Sequence, residues 1–280
     1  MDESRQGAIS LIKVTIDIAE QKFLARFDQA ISLAIPVRFD GAQPACFGTA
    51  PATASPLQAG SFVGDVQRGG SCNVPVLTLN PHCNGTHTET ISHVVSASIP
   101  PAQIAPTLVP CILLTVKPCV AATTSEQYRP ELSPHDTVIT AEMLKKCLAD
   151  ADTNFLSALV IRTLPNTDAK LSMDYHDAPF FTRDAMQYLL SKGVEHLLVD
   201  FPSIDRMNDD GHLTAHHLFW NLEEDSHRLR DGARTHCSVT ELIYVPNSVE
   251  DGRYLLSLQV TAFALDVSPS RPLLIPIEQQ

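Results

Sequence analysis

The sequence predicts a single mixed α/β domain in which strands outnumber helices. Three observations carry this reading: a series of apolar runs of strand length, only two helical runs with clear caps, and one helix that stops at a glycine and leads straight into an apolar strand. The 280 residues are 44% apolar, enough to bury a sizeable core and to exclude the composition of a disordered chain. No repeat, low-complexity tail or linker divides them, so one domain is expected over residues 1–280, with residues 1–28 as an N-terminal β-hairpin extension.

The elements follow in chain order. Ile12, Val14, Ile16 and Ile18 alternate with Lys13, Thr15 and Asp17, and Phe23, Ala25 and Phe27 alternate again after a polar break, which predicts the hairpin. Residues 40–75, punctuated by Gly41, Pro44, Gly48, Pro51, Pro56, Gly60 and Gly64, show neither helical nor strand period and predict a long loop, the kind that often serves as a lid. Strands are predicted over residues 111–116, 158–162, 196–201, 239–245, 254–265 and 273–277. Thr140 is placed to cap a helix through Met143, Leu144, Cys147 and Leu148. Thr182 is placed to cap another through Met186, Leu189 and Leu190, which stops at Gly193 just before the strand at His196.

Charge narrows the function. With 32 acidic against 20 basic residues, a net charge of -12 and no Lys/Arg cluster, the chain lacks the electrostatic footprint of a nucleic-acid or anionic-membrane partner, and small-molecule ligands remain. No apolar run approaches the roughly 18 residues of a spanning helix. Residues 1–7 are polar around Arg5 with no apolar run behind them, so no secretory signal and a cytoplasmic location are expected. Seven cysteines, an odd number with no Cys-x-x-Cys spacing, fit reduced thiols better than a disulfide framework.

The chemistry is concentrated between Asn80 and His93, where His82, His87 and His93 fall close to Glu89. If residues 87–93 are extended, the two-residue period puts His87, Glu89, Ile91 and His93 on one face and Thr88, Thr90 and Ser92 on the other. A turn or bulge at Asn84-Gly85 would bring His82 onto the same side. Neutral imidazoles with a carboxylate suit Zn²⁺ or Mn²⁺ and leave open positions for water. A pair of nearby histidines is by itself more often a polar surface, but the third imidazole, the carboxylate and the Gly-Thr turn favour a metal centre.

Gly85-Thr86-His87 and His93 resemble, in identity and spacing, the His-x-Gly-Thr-His-x-Asp-x-Pro-x-His signature of the metal-dependent cyclase family, which includes kynurenine formamidase-like hydrolases. The sequence departs from it at Glu89 in place of Asp, at Ile91 in place of Pro, and in a first histidine, His82, one residue further upstream, which leaves Cys83 at the usual ligand position. Residues 30–36, 161–163 and 199–205 are similar to other segments of that family in the expected order. The resemblance implies a swivelling β/β/α fold with a barrel-like central sheet and flanking helices. It further implies a dimer or tetramer, and hydrolysis of a C–N bond in an amide or cyclic amide, relatives opening diketopiperazine-like or isatin-like rings.

By the same resemblance the metal ligands are His82 or Cys83, His87 and Glu89, with Glu89 ligating or bridging. A second position takes His216, or His217 if the alignment slips by one, and Glu241. His93, on the face of His87 and Glu89, is the candidate general acid/base. His135, His176, His196, His227 and His236 have no matching motif. The changed Asp and Pro positions also admit a non-catalytic ligand-binding or regulatory relative, which metal content would separate from the enzyme.

Overall fold

The computed structural model describes residues 13–280; Ile12 and the rest of residues 1–12 of the expected extension lie outside the described residues. Strands β1 (Val14–Ile18) and β2 (Gln21–Ala25) form the predicted hairpin in the register Val14 opposite Ala25. Ala19 and Glu20 at its tip both have positive φ, the geometry that matches a two-residue turn to the twist of its strands. Phe27 does not continue the alternation: it opens a 3-10 turn and is exposed, because the backbone closes from Gln29 N–H onto the Arg26 carbonyl.

Seven strands close into a barrel. They are β3 (His87–Thr90), β4 (Val109–Val116), β5 (Ala158–Thr163), β6 (His196–Val199), β7 (Ser238–Glu241), β8 (Gly252–Val260) and β9 (Val267–Gln279). Around the barrel the order is β3, β9, β8, β4, β5, β6, β7 and back to β3, with β4 to β7 parallel and the remaining pairings antiparallel. The hairpin extends the sheet from the C-terminal end of β9, where Ala25 faces Ile277. Leu113, Val160, Leu198, Leu256 and Leu274 fill the barrel. Leu114, Leu159, Ile161, Leu197 and Val199 point outward and are buried beneath helices α1 (Ala141–Cys147), α2 (Arg183–Ser191) and α3 (Thr214–Phe219). Burial on both faces is why β5 reads as a continuous apolar run instead of an alternating one.

The two predicted caps form: the hydroxyls of Thr140 and Thr182 accept the Met143 and Ala185 N–H groups at 3.2 and 3.1 Å. Several boundaries differ from the sequence expectation. Within residues 40–75 the chain is not all loop; Thr53–Pro56 pairs with Pro75–Thr78 and Gln58–Ala59 with Phe62–Val63. The strand expected over 239–245 stops at Glu241 because Leu242 takes a φ of 53°. The strand expected over 254–265 stops at Val260. That expected over 273–277 instead runs 13 residues, its pattern masked by Pro269, Pro272 and Pro276 while it pairs in turn with β3, β8 and β2. Among the described residues no helix is long and apolar enough to cross a membrane.

Candidate metal centre

Strand β3 carries the centre of the histidine motif, and its alternation has the predicted sense. Thr88 turns into the barrel, where its hydroxyl meets that of Thr240 at 2.8 Å, while His87 and Glu89 point out toward the helical layer. The Gly-Thr pair before it is a packing device. A Cβ on Gly85 would lie 2.8 Å from Val37 Cγ2, and the Thr86 hydroxyl accepts the Ile35 N–H at 2.8 Å and donates to the Leu242 carbonyl. Those bonds lock the motif between the segment before the loop and the end of β7. In the ladder His87 stands opposite Glu241, so the sheet register itself brings the Glu241 carboxylate to His87.

His82 reaches the same side from a turn, not from a bulged strand. Asn80 Oδ1 accepts its N–H at 3.1 Å, and Asn84 Oδ1 accepts the Asn80 N–H in return, so the two asparagines fold residues 80–84 back over β3. His93 departs more clearly from expectation. The strand ends at Thr90, whose hydroxyl accepts the Ser92 N–H at 3.2 Å and starts a 3-10 turn over Ile91–His93, so strand parity does not place His93. The turn nevertheless swings its imidazole back, with Nδ1 3.8 Å from Glu89 Oε2 and the ring centroid 4.5 Å from that of His82.

His216 comes from α3, over the outer face of the barrel. Its Nε2 lies 2.7 Å from Glu89 Oε1 and 3.7 Å from Glu241 Oε1. His217, one position on, turns away, its two nitrogens meeting the Leu213 and Ser226 carbonyls. The residue that sets this choice is Asp205. Its carboxylate accepts the Ala215 and His216 N–H groups at the start of α3 and holds His216 Nδ1 at 2.6 Å. In the sequence Asp205 stands out only as the last residue of the segment 199–205 similar to the family's. Asp266, in the bend just before β9, shows no pattern of its own in the sequence, yet its Oδ2 lies 3.0 Å from His82 Nε2 and 3.4 Å from His93 Nδ1.

Three imidazoles share one arrangement. Each has one nitrogen engaged by an acceptor away from the centre: His87 Nδ1 donates to the Gly85 carbonyl at 2.9 Å, His216 Nδ1 to Asp205, and His82 Nε2 to Asp266. Each then turns its other nitrogen toward Glu89 or Glu241. The sharpest case is His87 Nε2, which is buried 3.3 Å from Glu241 Oε2 and has no hydrogen-bond partner among the described residues. Two overlapping sets result, one of His82, Glu89 and His93 and one of His87, Glu89 and Glu241, sharing Glu89. Tethered imidazoles with converging carboxylates fit a divalent ion, whose ligating histidines are held through their second nitrogen in this way.

Electrostatics agree. Burial opposes charge on His82, but the bonded Asp266 and Glu89 carboxylates outweigh it and push its pKa up to about 10. Burial likewise opposes charge on His216 and on Glu89, yet Glu89 and Asp205 hold His216 well above its ordinary value, and His93 and His216 hold Glu89 well below its own. A buried carboxylate kept ionised in this way needs a paired cation, which the protonated imidazoles supply here and which a bound metal would replace with release of their protons.

The centre floors a cavity of about 220 Å³ with an apolar wall of Phe47, Pro202, Met207 and Leu213. Phe47 and Leu213 have φ of 54° and 46°, a conformation that costs a bulky side chain of order 1–3 kcal/mol and that concentrates at functional sites. Larger cavities, of about 500 and 530 Å³, lie over residues 121–134 and beside Asp251, and no imidazole lines either.

Cys83 is placed differently from His82. It is buried beside Cys46, whose thiol donates to the Cys83 carbonyl at 3.4 Å, and it belongs to neither candidate ligand set. Cys83→Ser is therefore expected to keep the metal content of the parent protein in elemental analysis; a large loss would move the first ligand from His82 to Cys83.

A family model described as "Putative cyclase" matches residues 25–206, a span that contains the histidine motif and stops before His216 and Glu241. Among solved structures the chain is similar to a predicted metal-dependent hydrolase from Bacillus stearothermophilus, at 16% identity and a TM-score of 0.55 over 88% of this chain and 98% of that one. It is also similar to isatin hydrolase A from Labrenzia aggregata, at 15% identity and a TM-score of 0.58 over 89% of this chain and 94% of that one. Isatin hydrolase A from Ralstonia solanacearum aligns at 14% identity and a TM-score of 0.57 over 88% and 91%. At these identities the likeness is one of fold. No curated protein matches the chain.

Proposed function

This chain belongs to the cyclase family, and from that premise we propose that it is a metal-dependent hydrolase that cleaves a C–N bond in a small amide or cyclic amide. The observation that carries the proposal is the buried, unpartnered Nε2 of His87, set among imidazoles that are each tethered by one nitrogen and aimed by the other at Glu89 or Glu241. His82, His87 and Glu89 would hold one ion, with His216 and Glu241 at a second position, Zn²⁺ or Mn²⁺ by the mixture of imidazole and carboxylate donors. Bound there, a divalent ion supplies Lewis acidity, polarising the substrate carbonyl and acidifying water at neutral pH.

The chain's own residues supply the rest. Glu89 and Glu241 fix the positions of the imidazoles around them, and Phe47, Met207 and Leu213 give the organic part of a small substrate an apolar surface that excludes water. As water oxygen adds to the carbonyl carbon and the C–N bond breaks, His93 takes the proton given up by water and returns it to the leaving nitrogen. An activity screen of metal-loaded protein on formyl-amide and cyclic-amide substrates tests the proposal, with turnover that chelator abolishes and metal restores as the expected result. Stoichiometric metal with small-molecule binding but no turnover on any of them would overturn it in favour of a binding module of the same fold.

A further inference from the structure

We infer that Asp266, at the head of the strand that closes the barrel, is a positioning residue that aims His82 at the metal centre; the inference rests on the metal-centre reading above. His82 needs such a partner more than the other imidazoles. His87 and His216 are locked by burial, whereas the His82 side chain is 25% exposed and sits on a turn. The turn fixes its backbone and leaves the ring free to rotate. Its two nitrogens are then decided by two carboxylates: Nδ1 lies 3.1 Å from Glu89 Oε2 and Nε2 3.0 Å from Asp266 Oδ2. With the Nε2–H donated to Asp266, it is Nδ1 that faces the side where Glu89 converges with the other ligands and that is left to ligate an ion. Asp266 thus does for His82 what the Gly85 carbonyl does for His87 and Asp205 for His216.

The position of the Asp266 carboxylate is itself determined by barrel closure. Its carbonyl accepts the Thr90 N–H at 3.1 Å, and the next residue, Val267, stands opposite Glu89 in the ladder between β9 and β3. The same pairing that places Glu89 therefore places the group that orients His82. Cys83, beside it, is buried against Cys46 and belongs to neither candidate ligand set.

The test is the apparent Kd for Zn²⁺, measured on the full chain by competition with a chromogenic chelator, in four variants. Asp266→Ala is expected to weaken binding by roughly 10–100-fold, the loss usual for an outer-shell partner of a ligating histidine, while Asp266→Asn, whose amide oxygen still accepts the Nε2–H, retains most of the affinity. Because Asp266 acts through His82, the double variant Asp266→Ala/His82→Ala is expected to bind no more weakly than His82→Ala alone. Unchanged affinity in Asp266→Ala overturns the inference. So does an additive loss in the double variant, or equal losses for Asn and Ala, which would make Asp266 a ligand in its own right. Absence of Zn²⁺ binding by the parent chain would instead sink the metal-centre reading, and the inference with it. Apo-protein melting temperatures on the same samples separate a loss of ligation from a loss of fold.

Discussion

His87→Ala is expected to strip most of the divalent ion from the protein, lowering its apparent affinity by more than about 100-fold, beyond the range of outer-shell changes. The structure gives this residue a role that packing alone does not explain. Its Nδ1 is committed to the Gly85 carbonyl, so its Nε2 carries a lone pair, and that lone pair is buried beside Glu241 with nothing to accept. A buried acceptor without a donor costs about 1–3 kcal/mol, and an ion at that position removes the cost. Parent protein purified without chelator should contain one or two Zn²⁺ or Mn²⁺ per chain by elemental analysis and should melt at a higher temperature with the ion than without it. His217→Ala, which removes a buried neighbouring imidazole bonded to the Leu213 and Ser226 carbonyls, is the control and should keep the ion. Full metal content in His87→Ala would remove the centre from this set of residues.

The part of this centre that was legible in sequence is the part that lies on one strand. His87 and Glu89 alternate on β3 at the two-residue period, and periodicity is a local property that a sequence displays directly. The outward face of β5 and β6 and the capped helices α1 and α2 are local in the same sense. His216 and Glu241 are legible only through resemblance, since nothing local connects them to a strand more than 100 positions away; the register opposite His87 brings in Glu241, and the hold of Asp205 on α3 brings in His216. His93 was expected on the right side for the wrong reason. Strand parity puts it there only if the strand continues through Ile91, whereas the Thr90 hydroxyl starts a tight turn, and a threonine that can serve as strand residue or cap carries no sign of which it will be. Asp205 and Asp266 orient imidazoles from distant positions, one from a polar loop ahead of α3 and one from the bend just before β9, and neither has a distinguishing pattern until the chain folds.

His93→Ala is expected to lower kcat by roughly 10² to 10⁴, the contribution of a positioned general acid/base, while leaving metal content near that of the parent. The position supports the role. The His93 side chain is 27% exposed and lines the cavity, whereas His87 and His216 are buried, so His93 can reach both a substrate nitrogen and solvent. Its backbone is held firmly: Ile91, which stands where the family signature has proline, is fully buried, its carbonyl accepts the Val94 and Val95 N–H groups, and the Thr90 hydroxyl also donates to the Ile99 carbonyl. Replacing proline by isoleucine thus leaves the turn anchored from the side-chain end. The competing role is ligation, because His93 belongs with His82 and Glu89 to one of the two candidate ligand sets. Turnover, metal content and melting temperature measured on one preparation separate the outcomes. Loss of kcat with metal retained identifies the proton carrier, loss of metal makes His93 a ligand, and a lowered melting temperature with unchanged kcat per folded molecule leaves it a structural residue of the turn.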